Sequence, residues 1–165
     1  MKAIFGFIKK YSVWIFVLYM LVLVFVLIFK FPSPIFDKII ERMQTGNNNV
    51  YVEPPNFMPL KTIIRYVLSV RAINDWFFKN LICNVLMFMP FGFLVPFFIK
   101  NKKLILVLLY GIIVSIIIEF VQWITKFGIV DVDDVILNIV GIVIGYGLFR
   151  LFTMFVQNKE EQNNG

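Results

Sequence analysis

Between Leu104 and Thr125 the chain carries a single charge, Glu119. About 20 consecutive apolar residues cross a bilayer as a helix. Three comparable runs accompany it. Tyr11–Phe29 and Leu81–Ile99 are charge-free, and Val135–Val156 carries only Arg150, near its end. Four such runs in 165 residues leave little chain for a water-soluble domain around them. The mean hydropathy of +0.86 agrees with that. Backbone polar groups inside lipid must be satisfied internally, and helices do this within one segment. The pattern therefore predicts an all-α integral membrane protein with four transmembrane helices.

Lys2, Lys9 and Lys10 precede the first run, as in a signal peptide. The run is long, however, and Phe31-Pro-Ser-Pro34 follows it rather than a small-x-small cleavage site, so it reads as an uncleaved span. The expected organisation is a cytoplasmic N-terminus (1–10), a first span (11–29), an extracellular or interfacial segment (30–80), three spans (81–156) and a polar cytoplasmic tail without fixed structure (157–165). Within 30–80, Gly46–Asn49 and Glu53-Pro-Pro55 mark turns. Leu60, Ile63, Ile64, Val67, Leu68 and Trp76 then recur at helical spacing among Lys61, Arg65 and Arg71, which predicts an interfacial amphipathic helix.

Composition excludes several chemistries. There is no histidine, so imidazole acid/base chemistry and ordinary zinc sites are absent. No cofactor is expected. A divalent cation on oxygen ligands is the one metal class left open, and no ligand motif supports it. The lone cysteine, Cys83, has no partner for an internal disulfide and reads as core filler. The net charge of +6 comes from residues flanking apolar runs, with no nucleic-acid motif.

Basic residues also set orientation. With both termini in the cytoplasm, Lys2, Lys9, Lys10, Lys100, Lys102, Lys103, Arg150 and Lys159 lie inside, and the acidic loop with Asp131, Asp133 and Asp134 lies outside. The basic residues of the first loop run against the rule, but that loop is long and counts for less. At 1.5 Å per residue, Glu119 is about 22 Å up a core of about 30 Å, and Gln122 about 27 Å. Asn138 and Asn84, entering from outside, sit about 5 Å deep. Amides and carboxylates from three spans thus share one outer-leaflet layer.

Such residues are rare in spans and indicate a site by default, a mid-helix carboxylate costing roughly 2.5–3.5 kcal/mol on insertion scales. Asn84, Glu119, Gln122, Asp131, Asp134 and Asn138 form the candidate ligand-binding cluster. Catalytic residues are not assignable. Asp131 reads equally as the N-cap of the last span, and Asp133 as a solvated loop charge. Pro90 removes a backbone bond and predicts a kink. Gly141-x-x-x-Gly145 is a close-packing motif of membrane helices.

Taken in order, several motifs resemble the VanZ-like family. They are Asn56-x-x-Pro59, Asn84 to Pro90-Phe-Gly92, Ser115-x-x-x-Glu119-x-x-Gln122, and Asp131-x-x-Asp134-x-x-x-Asn138-x-x-Gly141-x-x-x-Gly145. The resemblance covers about Asn56 to Tyr146. It implies a multi-pass protein of the bacterial cytoplasmic membrane, linked to resistance to teicoplanin and related lipoglycopeptides, with residues 81–156 as its core. Asn56, Pro59, Pro90, Gly92, Gly141 and Gly145 then read as structural. Many relatives place an arginine where this chain has Gly128, and Lys126 or a basic residue of the first loop is the substitute it offers.

Three mechanisms fit that context. In the first, the cluster binds an envelope lipid, a lipid-linked envelope precursor or the drug. In the second, Glu119, Asp131 and Asp134 serve a membrane-embedded enzyme acting on an envelope lipid or polymer. Transport ranks last, because it requires homo-oligomerisation of a chain with few spans. The partners expected are membrane lipids and such a ligand, not nucleic acid, with homo-oligomers left open.

Overall fold

A computed structural model describes residues 2–28, 55–68, 76–125 and 130–164. The turn motif Gly46–Asn49, Arg71, Lys126 and Gly128 lie outside the described residues. The elements are α1 (Lys2–Ile28), α2 (Lys61–Leu68), α3 (Trp76–Leu94), a 3₁₀ turn (Val95–Phe97), α4 (Leu104–Thr125) and α5 (Val132–Asn164). The described residues are helical, with no strand beyond an isolated parallel bridge between Asn56 and Asp131.

α4 coincides with its apolar run. It shows Ile105, Leu109, Ile113, Ile116, Phe120 and Trp123 on its outer side, an apolar surface suited to lipid rather than water. Leu104–Ile124 and Val132–Asn158 are long and apolar enough to cross a membrane. The apolar stretches of α1 and α3, Lys10–Val26 and Leu81–Phe97, are shorter.

Two expectations need correction. The tail from Gln157, expected to lack fixed structure, is helical through Asn164. Adding a residue to an existing helix costs far less than nucleating one, and Lys, Glu and Gln are good helix formers. Cys83 is exposed, not core filler. The inward stripe of α3 is Asn84, Phe88, Phe91 and Val95, which leaves Cys83 on the outward side.

The core joins Phe88, Phe91 and Val95 of the α3 region to Leu23 of α1, Val107 and Ile118 of α4, and Ile142 of α5. α3 and α5 meet backbone to backbone. A Cβ on Gly145 would collide with the Met89 carbonyl, one on Gly141 with the Val85 carbonyl, and one on Gly92 with the Ile142 carbonyl. Glycines on both helices thus allow the approach that sets the remaining side chains in register.

α3 continues through Pro90. Proline cannot donate to the carbonyl four residues back, and its ring crowds that turn. Here the Tyr19 hydroxyl donates to the Met87 carbonyl at 2.7 Å and ties α1 to this weakened turn. Tyr19→Phe removes that donor with little change in shape. We expect it to cost about 1 kcal/mol, read from thermal unfolding in detergent.

Candidate functional site at one end of the bundle

α4 ends at Thr125 and α5 begins at Val132, so the acidic segment sits where these helices meet. Asp131 is the N-cap of α5. Its Oδ1 accepts the Asp133 amide N–H at 2.9 Å, two residues on. The same carboxylate reaches well beyond its own helix. Asn56 Nδ2 donates to Oδ1 at 2.9 Å, and the Thr62 hydroxyl to Oδ2 at 2.6 Å. Two backbone bonds complete the junction: Asn56 N–H to the Val130 carbonyl at 2.8 Å and Val132 N–H to the Asn56 carbonyl at 3.0 Å. Asn56 also donates to Thr62 Oγ1 at 3.0 Å.

Asp133 is not a solvated loop charge: it is 0% exposed. Its carboxylate accepts the amide N–H groups of Leu60 at 2.5 Å, Thr62 at 2.7 Å and Ile63 at 3.1 Å. These are amides at the start of α2, which lack partners within their helix. A carboxylate there answers both the orphan donors and the positive end of the helix dipole. Asp133 therefore caps a helix about seventy residues away in sequence.

Moving into the bundle, Asp131 N–H approaches Glu119 Oε2 at 3.4 Å. Asn84 Nδ2 donates to Asp134 Oδ1, joining α3 to α5. One turn further along α5, Asn138 Nδ2 donates to Ser115 Oγ at 2.7 Å, joining α5 to α4. Asn138 is 3% exposed, and its Oδ1 has no hydrogen-bond partner among the described residues. Gln122 is buried one turn from Glu119 toward the end of α4.

Asn84 with Asp134, Asp131 with Glu119, and Asn138 with Ser115 are thus paired at one end of the bundle, across three helices. Gln122 is buried at the same end. Asn56 belongs to the junction itself, while Pro59 is exposed in the turn before α2. Gly92, Gly141 and Gly145 lie deeper, at the α3–α5 contact, whereas Pro90 on the same helix as Gly92 is exposed. Among the described residues, no three acidic or thiol side chains are grouped to hold a metal ion.

Thr62 and Asp133 are the residues that sequence reasoning passed over. A signal for them exists. Leu60 precedes α2 where Ser, Thr, Asp or Asn would ordinarily cap a helix. A helix start without a local cap needs an acceptor from elsewhere, and a short acidic loop supplies one.

The comparisons with known proteins concern the family of the chain. The VanZ/LLP1 family model matches residues 16–153. Protein VanZ of Enterococcus faecium is 31% identical over 83 residues, which are 50% of this chain and 52% of that protein. The chain therefore matches about half the length of that relative. No solved structure matches. A match from residue 16 to residue 153 takes in α2 to α4, about half of α1 and most of α5, so the chain belongs to the VanZ/LLP1 family.

Proposed function

We propose that this protein modulates resistance to teicoplanin and related lipoglycopeptides. It does so through an outward-facing polar site that binds an envelope lipid, a lipid-linked envelope precursor or the drug. In this reading α1, α3, α4 and α5 all cross the cytoplasmic membrane, with both termini inside. The positive-inside distribution supports that orientation, and it puts the acidic junction at the outer surface. Phe57, Met58, Leu60, Ile64 and Leu68 are exposed beside Lys61, a mixture suited to the headgroup level.

One observation carries the proposal. Asn84, Ser115, Glu119, Gln122, Asp134 and Asn138 are all buried between helices that otherwise present apolar surface. Polar groups in a membrane bundle are costly and cluster at ligand sites or helix contacts. A purely structural role would satisfy each of them, yet the Asn138 amide oxygen has no hydrogen-bond partner among the described residues.

Direct binding tests the proposal. The full chain is reconstituted in nanodiscs and titrated with teicoplanin and, separately, with a lipid-linked envelope precursor. The expected result is saturable binding of one of them, weakened at least about tenfold by Asn138→Ala, since an amide buried against its ligand contributes 1.4 kcal/mol or more. Binding of neither molecule removes the basis for the proposal.

A further inference from the structure

The segment Asn56–Leu68 is attached to the bundle by polar bonds. Asn56, Leu60, Thr62 and Ile63 bond to Val130, Asp131, Val132 and Asp133. Much of its apolar surface faces away from that junction, with Phe57 72% and Leu68 73% exposed. A segment with few buried apolar contacts belongs to the low-stability end of a fold.

The attachment also carries its own opposing force. Leu60 has φ 65°, a left-handed conformation that its side chain disfavours. The strain sits at the residue whose N–H reaches Asp133 Oδ1. Directly behind the attachment, Asp131 N–H meets Glu119, and Ser115 and Asn138 lie one turn further in.

We infer that Asn56–Leu68 is a lid with two positions. The latched position is the one described above, fastened on Asp131 and Asp133. In the lifted position Leu60 relaxes, and the Glu119–Asn138 layer opens to the aqueous side. Further in along α5 lies the acceptor Asn138 Oδ1, which has no hydrogen-bond partner among the described residues. It suits a hydrogen-bond donor on an incoming molecule, a hydroxyl or an ammonium group. The lid goes beyond the proposed function and does not depend on which molecule the site takes.

Thiol accessibility tests the lid without any ligand or drug. Ser115→Cys is placed in a Cys83→Ser background, and the full chain is reconstituted in nanodiscs. A charged methanethiosulfonate reagent is added, and the rate of modification is followed by mass spectrometry. Leu60→Gly removes the strain from the latched position, and should slow modification about fivefold after allowance for the greater chain freedom of glycine. Asp133→Ala removes the latch, and should speed modification at least about tenfold. Thermal unfolding of both variants is measured in parallel, and a change in rate counts for the lid only beyond what the change in overall stability produces. An unchanged or faster rate in Leu60→Gly overturns the lid. So does an unchanged rate in folded Asp133→Ala. If Asp133→Ala does not fold, Leu60→Gly decides alone. Because no drug is present, these outcomes are separate from the binding result above.

Discussion

Asp133→Ala should lower the stability of the protein by about 3 kcal/mol, a large effect for one side chain in the first turn of a helix. The carboxylate takes three amide N–H groups at the start of α2 and is itself 0% exposed. A local helix cap is ordinarily worth about 1 kcal/mol. Asp133 exceeds that because its bonds are charge-assisted and because they also join two distant stretches of chain. Asp133→Asn keeps an acceptor without the charge, and should recover about half of the loss. Unfolding in a graded denaturing detergent, followed by circular dichroism, measures both. The ordering wild type, Asn, Ala is the expected result, and equal stability of all three would show that the capping bonds carry no weight.

Gly145→Val should be at least as damaging, costing about 3 kcal/mol or preventing assembly. The Cβ would land on the Met89 carbonyl, which is backbone and has no rotamer with which to move aside. α3 and α5 would have to separate, and the separation would reach the Asn84–Asp134 bond that spans the same pair of helices. Gly147 lies on the same helix, and a Cβ there meets nothing within 4 Å. Gly147→Val is therefore the matched control, expected to fold like the wild type apart from a small propensity term. Thermal unfolding in detergent separates the two. Similar losses in both variants would mean that helix propensity, rather than the helix contact, governs the effect.

Much of the helical order was legible in the hydropathy pattern, for a simple reason. A stretch such as Leu104–Thr125 satisfies its backbone only as a helix, wherever its side chains face. Hydropathy was a poorer guide to where helices begin and end. α5 starts at Val132, three residues before its apolar run, because Asp131 caps it and the helix dipole favours Asp133 and Asp134 in the first turn. Hydropathy scores those acids as loop, whereas the helix terminus favours them. The facing of Cys83 was hidden for a related reason: a uniformly apolar run does not say which side turns inward.

The candidate cluster was legible to the extent that its members are anomalies within apolar helices. Asn84, Glu119 and Asn138 stand out in that way, and helical spacing puts Ser115 on the face of Glu119. The junction that Asn56 and Thr62 make with Asp131 and Asp133 was not, although the resemblance marks Asn56 as structural. These residues lie in segments where polar side chains are ordinary, and their partners are about seventy residues away. Local spacing carries no information about contacts of that kind. The missing cap before α2 hinted at a distant acceptor, without naming which acid would provide it.

The central claim is that the buried layer from Glu119 to Asn138 serves a function that folding alone does not require. Its most direct measurement is teicoplanin susceptibility in a deletion strain complemented with Glu119→Gln, Asp134→Asn or Asn138→Ala, each at wild-type membrane abundance and with wild-type thermal unfolding. The account predicts that all three fall back to the susceptibility of the uncomplemented strain. Full wild-type resistance in all three, at matched abundance, would contradict it and leave the layer as hydrogen-bonded packing between helices.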